Sequence, residues 1–233
     1  MKISNNKLAR ITGLIYLGVV LTGIFTLMYM PSKLFGADTA SLTYQQIASS
    51  QLLLRLGILS GLLCYTFFLF LPLALYKLLK QVNENYAKLM VLLALLSVPV
   101  YFLNVQNLFS ILSVIINGQS KFGLSVEQAH SQVMLYIDQY NNGMRLVHIF
   151  SGLWLFPFGY LVYQSGILPK VLGVFLILGC FGYLINFVGN TLFSNYSQFG
   201  ISSIINLPAS IGEIGTCLWL LIRGAKNYKI AES

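Results

Sequence analysis

Six apolar runs, each close to or beyond the roughly 20 residues that a helix needs to cross a hydrocarbon core, leave this chain few ways to fold. They cover 10–30, 52–79, 89–116, 143–163, 170–193 and 204–222. Backbone amides inside lipid have no water to bond, so each run must close its own hydrogen bonds as a helix. The chain therefore reads as all-α, an integral membrane bundle of six transmembrane helices in a single domain. Hydrophobic residues make up 57% of it and charged residues 9%, where soluble domains carry about a quarter. The net charge of +8 does not form one basic patch. Lys and Arg flank the apolar runs instead, which speaks against nucleic acid and makes the bilayer the expected partner.

Those flanks also give an orientation. With the amino terminus inside, the cytoplasmic side holds Lys2, Lys7, Arg10, Lys77, Lys80, Lys88, Lys170, Arg223, Lys226 and Lys229, and the outer loops hold Lys33 and Lys121. Ten against two places both termini in the cytoplasm. The first run is longer than the 7 to 15 residues of a usual signal core, so it is expected to be a retained helix. The Asn195-Tyr196-Ser197 sequon would lie outside. Cys64, Cys180 and Cys217 each sit within apolar sequence, without a second ligand at metal spacing, and read as small buried side chains.

Breaks and small residues divide the spans further. The first stops at Pro31, and Gly13, Gly18 and Gly23 let a neighbour approach it. Between spans one and two, Thr43-x-x-Gln46 suggests a capped short helix at about 43–50. Span two carries a Gly57-x-x-x-Gly61 packing face and a kink expected at Pro72, and span three carries Pro99. Ser125-x-x-Gln128 opens an amphipathic segment over 125–140, with Val126, Ala129, Val133 and Ile137 on one face. It would lie on the membrane or extend span four outward. Gly166 followed by Pro169 predicts a tight antiparallel pair of spans four and five.

The chemistry, if there is any, centres on Glu213 in Ser210-Ile211-Gly212-Glu213-Ile214-Gly215-Thr216. Its span is about 28 Å long at the helical rise, and Glu213 lies near the middle. A lone charge there costs at least a few kcal/mol, so it must be partnered, protonated or facing water. Arg55 opens span two and Arg145 span four, on the outer side, with His148 about one turn deeper. Pairing of Glu213 with Arg55, Arg145 or both is the expectation. Asn104 and Asn107 share a face of span three, Asn186 and Asn190 a face of span five, and Asn206, Ser210 and Glu213 a face of span six. All would line one outer-half polar cavity, suited to a small polar, anionic or lipid ligand. The competing reading is interhelical glue in a structural or partner-binding subunit.

No H-E-x-x-H, no G-x-S-x-G and no second intramembrane carboxylate is present, so no catalytic residue, metal or cofactor is expected, and His130 lacks a companion ligand. A transporter cue does exist. Pro99 to Asn104 and Pro208 to Glu213 share a spacing in the two three-span halves, as interrupted helices of inverted repeats do.

Several stretches carry a resemblance: Arg10-Ile-Thr-Gly-Leu-Ile-Tyr-Leu, Arg55-Leu-Gly, Tyr76-Lys-Leu-Leu-Lys, the run from Gly159 to Gly173, and Gly212-Glu213 followed by Leu218-Trp-Leu-Leu. Together they resemble a bacterial family of multi-span membrane proteins known as domain of unknown function 4386. The resemblance covers Arg10 to about Gly224. It implies a bacterial inner or plasma membrane and a retained first helix, and it brings no activity and no catalytic residues.

Overall fold

Each expected span is a helix, and the exceptions within them have local causes. The computed structural model describes residues 5–193, 195–196 and 200–225, without the side chain of Ser203. Lys2, Lys226 and Lys229, which count toward the expected orientation, and the sequon's Ser197 lie outside the described residues. The elements are α1 (Asn5–Ile24), a π-helical turn (Phe25–Tyr29), α2 (Met30–Leu34), α3 (Ala40–Ser49), α4 (Gln51–Leu79) and α5 (Glu84–Asn104). They continue as α6 (Gln106–Asn117), α7 (Val126–Leu153), α8 (Leu155–Ser165), α9 (Lys170–Leu192) and α10 (Ile201–Ile222). Six stretches are long and apolar enough to cross a membrane: Asn5–Leu34, Gln51–Leu79, Glu84–Asn117, Val126–Ser165, Lys170–Leu192 and Ile204–Ile222. Large apolar side chains such as Leu14, Leu92, Leu178 and Ile222 stand exposed on them. In water that would be a liability, but for a chain solvated by acyl tails it is the lipid-facing surface.

Three interruptions follow from missing or diverted hydrogen bonds. Pro31 has no N–H to donate, and the turn before it widens to π geometry, with Met30 N–H reaching back to Phe25 O. Span three breaks at Val105 (φ −61°, ψ −17°). There the Asn107 carboxamide donates to Asn104 O at 3.1 Å. Leu108 N–H bonds Val105 O at 3.0 Å, a three-residue closure that tightens the turn. Span four breaks at Trp154, three residues before Pro157, whose ring nitrogen cannot donate to Leu153 O. Pro72 and Pro208 lie inside helices that continue past them. The matched-interruption cue for an inverted repeat is thus not met: a break accompanies Asn104, whereas α10 runs unbroken through Pro208 and Glu213.

The chain divides into two compact units, whose boundaries fall inside α1, α4, α5 and α7. The first comprises Met1–Gly18, Phe67–Val98 and Val147–Ser233, and the second Val19–Thr66 and Pro99–Leu146.

In the first unit, Gly166 ends α8 at φ 62° and Pro169 starts α9, as the sequence predicts. The α8 and α9 backbones then meet at two glycines. A Cβ on Gly159 would come within 2.7 Å of Gly173 O, and one on Gly173 within 2.6 Å of Gly159 O. Trp154 stacks on Phe158 at 5.0 Å and takes the edge of Phe68.

In the second unit, Thr26 Oγ1, in the π turn, donates to Gly57 O at 2.9 Å. Gly57 and Gly61 act as the expected packing face, the first receiving Met30 and the second the Tyr101 hydroxyl. Tyr65 stacks on Tyr101 at 3.8 Å. α3 starts one turn earlier than its Thr43-x-x-Gln46 pattern suggests. Thr39 is the cap, its Oγ1 accepting from Leu42 N–H, and Thr43 donates back to Thr39 O. The Ser125 and Gln128 capping box forms as read, with both reciprocal bonds present. The segment it opens is continuous with span four as the first part of α7. Ala129, Val133 and Ile137 are buried there, and Val126, in the first turn, is exposed. His130 is on this helix and faces the Tyr44 ring at 4.7 Å.

Candidate functional site

α10 carries two stripes with different neighbours. Ala209, Gly212 and Gly215 face α9, where a Cβ on Gly212 would touch Leu176 and one on Gly215 would touch Leu172. Cys217 and Leu221 face α1. The Cys217 thiol lies 3.8 Å from Gly13 O, and a Cβ on Gly13 would come within 2.8 Å of Leu221 N. Glu213 is one turn before Cys217 on this second stripe, and Tyr16 is one turn after Gly13 on α1. The two helices run antiparallel, so this register sets Tyr16 beside Glu213.

Tyr16 is 1% exposed, and its Oη is turned to the Glu213 carboxyl without closing a hydrogen bond of ordinary geometry to it or to any other described residue. It lies within electrostatic reach of Glu213 and Tyr183. Tyr183, on α9, is within electrostatic reach of Glu213 too. Its Cβ presses into the space left by Gly152 of α7, and its ring lies 5.6 Å from that of His148, one turn away on the same helix. Four helices thus contribute one group each: Tyr16, His148, Tyr183 and Glu213. Glu213 itself is half-buried, and among the described residues no Lys or Arg acts on it. The described residues hold one ion pair, Lys88 to Glu84 at 3.0 Å, and it is exposed. The other described acids, Asp38, Glu84, Glu127 and Asp138, are exposed as well.

A second polar group lies about 10 Å along α10, seven residues before Glu213. Asn186 Nδ2 donates to Ser202 O at 3.1 Å and to Asn206 Oδ1 at 2.9 Å. Its Oδ1 accepts from Tyr196 Oη at 2.8 Å, and its backbone carbonyl accepts from Asn190 Nδ2 at 2.7 Å. Both side-chain donors and the acceptor of Asn186 are used within the fold. A saturated neutral amide of this kind ties α9 to α10 and leaves little for a ligand.

The remaining predicted residues belong to the second unit. Asn104 Nδ2 donates to Tyr140 O at 3.0 Å, and Asn107 Nδ2 to Asn104 Oδ1 at 3.0 Å. Gly143 leaves the room that the Asn104 carboxamide fills. Arg55 and Arg145, the partners expected for Glu213, are both exposed side chains in this unit. Arg145 is not in the opening turn of a helix, because α7 begins at Val126. Arg55 stands over a groove of about 420 Å³ between α4 and α6. A long guanidinium side chain near a helix end reaches polar surroundings more cheaply than it crosses lipid. So Glu213 has hydroxyl neighbours where the sequence suggested guanidinium ones.

Sequence reasoning missed Tyr16 and Tyr183. Both read as apolar span residues or membrane-interface aromatics, since nothing in spacing alone distinguishes a tyrosine that turns inward. Tyr16 does lie in the Arg10 to Leu17 stretch singled out for its resemblance.

The sequence model of a family described as domain of unknown function 4386 matches residues 11–224. An uncharacterized protein of Archaeoglobus fulgidus is 28% identical over 160 residues, which are 69% of this chain and 78% of that protein. No solved structure matches the chain.

Proposed function

We propose that this chain, which belongs to the domain of unknown function 4386 family, is a non-enzymatic multi-pass membrane protein that binds a small polar ligand bearing positive charge at Glu213. The observation that carries this is the composition of the Glu213 surroundings: Tyr16 and Tyr183 beside it, the Tyr16 hydroxyl turned to the carboxyl without a hydrogen bond of ordinary geometry, and no cation among the described residues. A carboxylate near mid-span left in that state costs on the order of 3 kcal/mol. A cation arriving from outside removes the cost, whether it is an amine or the smallest case, a proton. An anionic ligand fits less well, because neither expected arginine acts on Glu213. His148, next to Tyr183, would border the ligand and not bind metal, since no group of three potential ligands forms among the described residues. The ten-to-two charge bias supports a plasma membrane location with both termini cytoplasmic.

The test compares wild type with Glu213→Gln in lipid nanodiscs, by thermal shift with a series of small primary and quaternary amines and across pH. Amine stabilisation of wild type alone assigns an amine. A pH dependence of melting present in wild type alone, without amine stabilisation, assigns the proton. Identical behaviour of both proteins in both arms rejects the reading.

The structural alternative also has an observation in its favour, the saturated Asn186, Asn206 and Tyr196 network. Under that alternative, Asn186→Ala and Glu213→Gln lower stability alike and neither changes any ligand response.

A further inference from the structure

The groove beneath Arg55 is independent of Glu213 and has its own chemistry. Its α4 wall is Arg55, Ile58, Leu59 and Leu62, at the spacing of one helix face. Its α6 wall repeats the pattern with Phe109, Leu112 and Ile116, interleaved with Ser113 and Asn117. Spans two and three are joined by a short connector over 80–83, so they run antiparallel, and Arg55 and Asn117 stand at the same end. That end is polar, and the depth from Arg55 to Leu62 is about 10 Å of apolar wall, within the roughly 15 Å of one leaflet's hydrocarbon. No acidic residue lines the groove, and Arg55 has no ion pair among the described residues.

The geometry points to a phospholipid site in which Arg55 holds the headgroup phosphate of an anionic phospholipid and one acyl chain lies along the groove toward Leu62 and Phe109. A guanidinium presents a planar fork of donors matched to phosphate oxygens. Asn117 and Ser113 supply neutral donors beside it for glycerol or headgroup oxygens. The occupant is a lipid and not a soluble anion because most of the lining is aliphatic or aromatic and opens to the exposed face of both helices: Leu59, Phe109 and Ile116 are all exposed. In a bilayer that face is never empty, so the cation selects which lipid fills it.

Native mass spectrometry of the whole chain, titrated with phosphatidylglycerol and phosphatidylcholine of matched acyl chains, tests this. Wild type should retain phosphatidylglycerol about tenfold over phosphatidylcholine, the scale of a charge-assisted contact. Arg55→Ala should bring the two lipids level, and Arg55→Lys should keep part of the preference. Leu59→Trp, which fills the groove, should lower retention of both lipids while size-exclusion profiles stay unchanged. An unchanged lipid ratio in Arg55→Ala overturns the site. So does displacement of phosphatidylglycerol by inorganic phosphate alone, which would make it a soluble-anion site. Should the alanine variant fail to fold, the lysine and tryptophan variants decide: wild-type ratio and occupancy in both overturn the proposal.

Discussion

Replacing Tyr16 by Phe removes a single oxygen, and the sign of its effect separates two accounts of the Glu213 cluster. Tyr16 Oη is buried beside the Glu213 carboxyl without a hydrogen bond of ordinary geometry, and no cation among the described residues neutralises that carboxyl. An unsatisfied buried hydroxyl costs about 1 to 3 kcal/mol, and the phenyl ring of the replacement fills nearly the same space. Ligand-free Tyr16→Phe should therefore be more stable than wild type, by about 1 kcal/mol, or about 2 to 4 °C in Tm for a chain of this size. If the oxygen were already bonded within the fold, its loss would destabilise by about 0.6 to 1.7 kcal/mol. Tryptophan fluorescence in nanodiscs reads the transition well, since Trp154 and Trp219, the chain's 2 tryptophans, both lie in the unit that holds the cluster. The protein is stripped of small molecules by prolonged dialysis, and Glu213→Gln and the double variant complete a thermodynamic cycle. A lower Tm for stripped Tyr16→Phe, with no coupling to Glu213→Gln, would refute the claim that the fold leaves this site incomplete.

Three further outcomes follow from local geometry. Gly173→Val should prevent α8 and α9 from closing, because its Cβ would meet the backbone at Gly159 O and at Tyr163 N, 2.7 Å away. Overpacking of this kind costs about 1 to 3 kcal/mol or more, read as loss of the monodisperse size-exclusion peak. Asn107→Leu should restore the Leu108 N–H to Asn104 O bond and smooth the break at Val105, seen as slower hydrogen exchange at Leu108. Thr39→Ala removes the α3 cap, and faster exchange at Leu42 should report a local loss of about 1 kcal/mol.

How the sequence relates to this architecture is best seen element by element. The length of each apolar run dictated the six helices, because lipid offers no partner for an open backbone amide. Ser125 with Gln128, and Gly166 with Pro169, announced their cap and turn through side-chain chemistry that acts within four residues. The hydrogen-bonding of Asn107 to Asn104 is equally local, yet the break it accompanies is not evident from spacing, because two amides three residues apart suit a cavity wall as well as their own helix.

Glu213 was legible as an anomaly, since a carboxylate in an apolar run is costly wherever the run ends up. Its neighbours were not. Charge alone nominated Arg55 and Arg145, but the α1 to α10 register, fixed by the close approach at Gly13, delivers Tyr16 instead. The groove under Arg55 likewise exists only once the stripe from Arg55 to Leu62 stands opposite the stripe from Phe109 to Asn117. Composition and spacing thus decided that the chain crosses the membrane six times and where its costly charge lies, because those are properties of single segments. Which groups meet that charge depended on how neighbouring helices turn and slide, a matter of van der Waals fit between surfaces far apart in the chain.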